Sequence, residues 1–164
     1  MESKIYNVLF ICTGNSARSI IAEGLMNQLG RGRFTAFSAG SHPKGEVHPL
    51  ALHVLEKNGV EVAGFRSKSW DEFAQPDAPA LHFVFTVCDK AAGEVCPAWP
   101  GQPITAHWGM PDPAAVEGSE AVKETAFLET MIYMRRRIQL LLALPLASLD
   151  RLAIQREVRD IGTR

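Results

Sequence analysis

Cys12 and Arg18 stand six positions apart in the stretch VLFICTGNSARSIIAEG, and Ser19 follows the arginine directly. The apolar residues before Cys12 read as a strand and those after Arg18 as a helix, so the reactive groups fall on the tight loop between them. Such a loop aims backbone N–H groups at one point, and the helix dipole makes that point favourable for an anion. Gly14 permits unusual backbone angles and Asn15 tolerates the left-handed region. Arg18 adds a planar fork that can grip two oxygens of a tetrahedral oxyanion. The same field favours the thiolate of Cys12, because cysteines so placed titrate at roughly 3.5–7.5 instead of about 8.5. The expected site is a phosphate-like anion held by Thr13, Gly14, Asn15, Ser16, Ala17 and Ser19 together with Arg18, above a Cys12 nucleophile. The plainer alternative makes Cys12 a small buried hydrophobe and Arg18 a solvated helix residue. The presence of Gly, Asn, Arg and Ser at these positions weighs against it.

Attack on such an anion expels an oxygen that needs a proton. Asp112 in HWGMPDPAA is the leading candidate for the acid, with Pro111 and Pro113 stiffening its loop and Trp108 placed to exclude water. On local grounds alone Asp112 reads equally well as a turn residue before a helix. Two further cysteines, Cys88 and Cys96, lie in FTVCDKAAGEVCP. Three cysteines are too few for a disulfide scaffold, and an odd number cannot all be paired at once.

These residues must be positioned by the rest of a 164-residue chain, a length that suits one domain with one core. With 46% hydrophobic residues and a formal net charge of −1, the chain lacks the basic face of a nucleic-acid or membrane-surface binder, so any anion site must be built locally. No apolar run approaches the roughly 20 residues of a membrane span, and Met1–Tyr6 carries no signal-peptide core, which predicts a cytoplasmic protein. In that compartment disulfides are usually catalytic or redox-sensing.

Ile5–Ile11 reads as a fully apolar strand of a parallel sheet. Arg18–Leu29 follows as a helix, Phe34–Ser38 as a second strand, and a helix opened by His48-Pro49 runs to Asn58-Gly59. Ser69–Phe73 suits a short helix, Leu81–Val87 a third strand and Ile104–His107 a fourth. Glu117–Leu144 carries a long helical pattern that Pro145 breaks, and Ser148 can cap a last helix, Leu149–Ile161. The alternation predicts an α/β sandwich with right-handed crossovers and its site at the carboxyl ends of the strands. Cys12 and Cys88 each follow a strand and should share one sheet edge. The five histidines (His42, His48, His53, His82, His107) show no metal-ligand spacing and read as surface or packing residues. The run Arg135–Arg137 reads as a solvated helix face.

CTGNSARS…AEG, the pair Cys88 and Cys96, and HWGMPDPA together resemble the arsenate reductases of the low-molecular-weight protein tyrosine phosphatase fold, over roughly residues 5–140. The resemblance implies a three-layer sandwich on a four-stranded parallel sheet with an extra C-terminal helix. Residues 1–145 would form the catalytic domain and 146–164 a helical extension of it. It further implies a relay: Cys12 attacks arsenate, Asp112 protonates the departing oxygen, Cys88 attacks Cys12 and releases arsenite, and Cys96 carries the disulfide outward. Reducing equivalents would come from thioredoxin, or from glutaredoxin and glutathione, with no tightly bound cofactor. Phosphate or sulfate would mimic arsenate, no nucleic acid or membrane would be bound, and the chain would be a monomer or weak homodimer.

The chain departs from that pattern in places. Ala17 replaces a cysteine that the family often carries inside the loop, and the stretch from Cys88 to Cys96 is one residue longer than usual. Some members bind potassium through asparagine, glutamate, serine and aspartate. Asn15, Glu23 and Ser38 match, but Lys68 takes the aspartate position, so its ammonium is expected to replace the ion and the metal expectation is none. The tyrosine pair that phosphatases of this fold carry after Asp-Pro is missing from AAVEG. The competing hypotheses are a tyrosine phosphatase using Cys12, Arg18 and Asp112 alone, and a redox sensor or oxyanion-binding module without turnover. Residual phosphatase activity is compatible with the first reading.

Overall fold

The computed structural model describes residues 4–93, 99 and 101–164. Its sheet has four parallel strands in the order β2-β1-β3-β4, with β1 at Tyr6–Cys12, β2 at Phe34–Gly40, β3 at Phe83–Thr86 and β4 at Ile104–His107. Val8, Leu9, Phe10 and Ile11 are all fully buried, the mark of a central parallel strand covered on both faces. The helices are α1 (Arg18–Leu29), α2 (Pro49–Lys57), α3 (Asp89–Ala92), α4 (Glu120–Leu142) and α5 (Arg151–Ile161). Helix α1 packs on α2 and α4, and α5 lies against β4, giving the three-layer sandwich. Both outer layers are needed because the central strand has no polar face to leave in water.

In register, Ile11 pairs with Ala39 on one side and Thr86 on the other, so β1 and β3 end side by side and bring Cys12 and Cys88 to one edge. Gly40 pairs with Cys12, and a Cβ there would run into the Thr13 carbonyl, so the close approach of β2 to the loop requires glycine.

The C-terminal segment docks on its own chain. Ile154, Val158 and Ile161 of α5 are buried, and Trp108 stacks on Phe85 at 4.0 Å while its indole N–H donates to the Val158 carbonyl at 2.9 Å. The cap of this helix differs from the sequence expectation. After Pro145 the chain takes a single 3-10 turn, Leu146–Ser148, which moves the helix start on by two residues. Asp150, not Ser148, then accepts the Ala153 N–H at 2.8 Å.

The arginine run also needs correction. Arg135 is half-buried and Arg136 exposed, but Arg137 is buried. Its guanidinium donates to the Trp108 and Gly109 carbonyls at 2.8 and 3.0 Å and to the Gly162 carbonyl at 3.4 Å. The helical period alone turns one of three consecutive arginines inward, and carbonyls that no N–H reaches give it partners.

Candidate active site

The loop from Cys12 to Arg18 is held open from outside. The Thr13 carbonyl accepts the His42 N–H, Gly14 that of Lys44, and Ser16 that of His48, while Ser67 adds a hydroxyl to the Gly14 carbonyl. A planar trans peptide points its C=O and the next N–H in opposite directions, so these outward carbonyls turn the following amides inward. Asn15 takes the left-handed conformation (φ 44°) that the reversal demands. Its side-chain amide donates to Ser19 and Ser38 at 2.8 and 3.0 Å and its carbonyl accepts the Lys68 N–H at 2.9 Å, pinning the loop from below. Helix α1 has no side-chain cap, which leaves the amides of its first turn to a ligand.

Around this loop lies a cavity of about 630 Å³ lined by Cys12, Gly14, Arg18, Lys44, Cys88 and Asp112, among others. Arg18 donates to the Met110 carbonyl at 3.1 Å and sits 3.8 Å from the Asp112 carboxylate. Its buried Nε has no partner among the described residues, so part of the fork is unspent. Asp112 does what both readings expected: it caps the turn Pro113–Ala115 through the Ala114 N–H and also faces Arg18. Trp108 does not screen it. That ring is wholly buried beneath the acid loop, as a strut rather than a lid.

Cys12 and Cys88 are free, buried and hydrogen-bonded to each other. Each thiol acts on the ionisation of the other. Cys88 accepts from Cys12, from the Thr13 amide at 3.3 Å and from the Ala91 amide of α3 at 3.4 Å, with the Thr13 hydroxyl at 3.5 Å. These donors hold its thiol down at about 5. The contact with Cys88, and then burial, push the Cys12 thiol up, against the pull of Arg18 and the Asn15 amide. More donors therefore converge on the Cys88 sulfur than on that of Cys12, while Arg18 and the Asn15 amide favour the thiolate of Cys12. Cys96 lies outside the described residues.

Beneath the loop, the Lys68 ammonium is 3.8 Å from the Glu23 carboxylate and donates to the Arg66 carbonyl at 3.1 Å. Ser38 donates to the same Glu23 oxygen. Burial pushes Glu23 up and Lys68 down, and their mutual attraction opposes both shifts. A cation bound by Asn15, Glu23 and Ser38 would meet the Lys68 ammonium in the same space, so these residues do not fit a potassium site. Among the described residues, no group of three or more His, Cys, Asp or Glu side chains is placed to hold a metal.

Sequence reasoning missed one side chain here: Lys44 lines the cavity from the turn after β2, and its only sequence signal is that position. His107, read as a surface or packing residue, is exposed; its ring nitrogens lie 2.7 Å from the Thr86 hydroxyl and 2.7 Å from Asp89, and it ties β4 to the first residue of α3.

A model of the low molecular weight phosphotyrosine protein phosphatase family matches residues 7–153, and the chain belongs to that family. Its relatives include a Halalkalibacterium halodurans protein named arsenate reductase, 33% identical over 139 residues that span 85% of this chain and 95% of the relative. Among solved structures, an arsenate reductase in the phosphate binding state matches with a TM-score of 0.65 and 27% identity, over 84% of this chain and 97% of the other. A thioredoxin-dependent arsenate reductase from Corynebacterium glutamicum matches with a TM-score of 0.59 and 30% identity, over 85% of this chain and 65% of the other. No helix among the described residues is long and apolar enough to cross a membrane.

Proposed function

We propose that this chain reduces arsenate to arsenite by a thiol relay. The observation that carries the reading is the Cys12–Cys88 hydrogen bond inside an oxyanion loop, since a phosphatase needs one nucleophile there and a reductase needs a second thiol within reach of the first. Arsenate sits on the loop amides and the free edge of Arg18. Cys12 gives its proton to Cys88 and forms a bond to arsenic, and Asp112 protonates the oxygen that leaves as water. Thr13 and the Ala91 amide favour the loss of that proton again, to solvent water, and the Cys88 thiolate attacks the Cys12 sulfur. A sulfur–sulfur bond forms, the electron pair of the sulfur–arsenic bond stays on arsenic, and arsenite departs. Cys96 attacks Cys88 in turn, freeing Cys12 and leaving a Cys88–Cys96 disulfide. A dithiol partner of the thioredoxin or glutaredoxin type reduces it, as a reducing, cytoplasmic setting would allow. The name of the Corynebacterium relative favours thioredoxin. Lys68 supplies the positive charge that an ion gives some relatives.

Arsenate reduction measured in parallel with thioredoxin and with glutaredoxin plus glutathione tests the proposal. Turnover with one donor is expected, and Cys88→Ser should abolish it. If Cys88→Ser leaves oxyanion chemistry untouched and only aryl phosphates are hydrolysed, the phosphatase reading replaces this one.

A further inference from the structure

We propose that Lys44 is a second cationic ligand of the oxyanion, placed at the mouth of the loop to select the dianion; this rests on reading the loop as an oxyanion site.

The lysine is fastened to the loop twice before its charge is considered. Its N–H donates to the Gly14 carbonyl at 3.0 Å. Its side chain then runs back across the same residue, with Cε, Cγ and Cδ at 3.2 to 3.4 Å from where a Cβ of Gly14 would stand. Gly14 thus does more than turn the chain: its bare Cα is the surface on which the lysine stem lies. The next residue, Gly45, has φ 83° and donates to Ser67, whose hydroxyl donates to the Gly14 carbonyl, so the turn that presents Lys44 is tied to the same point. A stem held this way loses less freedom on binding than a free surface lysine would.

The charges in the site show why a second cation is useful. A dianionic oxyanion brings two negative charges into a cavity that Asp89 and Asp112 already line, against the single positive charge of Arg18, which faces Asp112. Lys68 is below the loop and engaged with Glu23. The formal net charge of the chain, −1, offers no long-range attraction. Lys44 also lines the cavity and makes no ion pair with any described residue. Among the described residues that line the cavity, it is the cation left to balance the second charge of the ligand.

The test uses the full chain with inorganic phosphate as probe. Alkylation of Cys12 is followed by mass spectrometry over a phosphate titration, for the native protein, Lys44→Gln and Lys44→Arg. Lys44→Gln should raise the half-protecting phosphate concentration about tenfold, the effect of one charge-assisted contact. Lys44→Arg should stay within about twofold, and the native protein should show the steeper loss of protection with salt. Without phosphate the alkylation rate of Cys12 should hardly differ among the three. In arsenate turnover Lys44→Gln should raise KM. Equal phosphate protection in Lys44→Gln and native protein at low ionic strength would overturn the inference. If the native protein binds phosphate in this Lys44-dependent way yet reduces no arsenate, the reductase reading fails and this inference stands. If phosphate does not protect native Cys12 at all, both fail.

Discussion

The two loops that would work on the substrate are held by different means. The oxyanion loop is fixed by backbone bonds from His42, Lys44 and His48 and by the Ser67 hydroxyl, with the buried Asn15 side chain held by the Lys68 N–H beneath. The acid loop, from His107 to Asp112, has two backbone bonds, from the Trp108 and Met110 N–H groups to the Thr86 and Val87 carbonyls, and otherwise depends on residues far away in sequence: Arg137 of α4, and Val158 of α5, which Trp108 reaches. The first is a rigid cradle whose chemistry lies within its own residues. The second depends on the C-terminal third of the chain, so damage there should reach Asp112 without touching the cradle. The two loops meet at Arg18, which spans from the cradle to the Met110 carbonyl.

The largest effect that separates them should come from Arg18→Lys. A lysine cannot present the fork, and turnover is expected to fall by about 10²–10³ with little change in melting temperature. Steady-state kinetics beside a thermal melt would check this, and a loss of less than threefold would contradict the cradle.

Arg137→Met should act the other way round. It leaves the buried Trp108 carbonyl and the half-buried Gly109 carbonyl without that donor, which costs about 1–3 kcal/mol and lowers the melting temperature by roughly 2–12 °C. Turnover of the folded fraction should fall several-fold through Asp112, while the alkylation rate of Cys12 stays near native. Truncation after Leu144 should do the same more severely, because it removes Val158 from Trp108 and Ile154 and Ile161 from the core. The sequence marks 146–164 only as a helical extension of the domain. Its contacts with Trp108 and Arg137 tie it to the acid loop as well.

The thiol pair predicts a pH effect inside the cradle. The Cys88 thiol is held at about 5, so total alkylation of the pair should persist at mildly acidic pH and fade as pH drops through that value. Cys88→Ala removes the hydrogen bond and the neighbouring charge that push Cys12 up. Cys12 should therefore alkylate faster at pH about 6 in the variant than in the native protein. Slower alkylation would mean that the charge rests on Cys12 from the start.

The smallest effect concerns the floor of the cradle. Exchanging potassium for sodium should leave native activity and melting temperature nearly unchanged, and Lys68→Asp should create a potassium response. Strong activation of the native protein by potassium would refute the role given to the ammonium.

This contrast also explains what could be read from the sequence. Cys12, Asn15, Arg18 and the start of α1 are contiguous, so a strand, a loop and a helix start were enough to assemble them. The helix Arg18–Leu29 and the strand Ile104–His107 fell where their patterns put them. The joining of Cys12 to Cys88 needed only that both follow strands of one parallel sheet. Arg137 and Trp108 were misread because their partners lie 25 to 50 residues away and are backbone carbonyls, which leave no mark in a sequence. Lys44 was overlooked because a lone lysine in a turn looks like any solvated one until Gly14 is seen beneath it. Ser148 lost its capping role to Asp150 because one 3-10 turn shifted the helix start.

The central claim is that the oxyanion loop and its second thiol reduce arsenate with electrons from the chain's own cysteines. Mixing the fully reduced protein with excess arsenate, without any external reductant, tests it most directly. Arsenite released and free thiols remaining are counted together, and the disulfide is mapped by mass spectrometry. The account predicts about one arsenite per chain with two thiols lost, and a disulfide that includes Cys88. Cys12 shielded by arsenate, with no arsenite formed and every thiol intact, would contradict it.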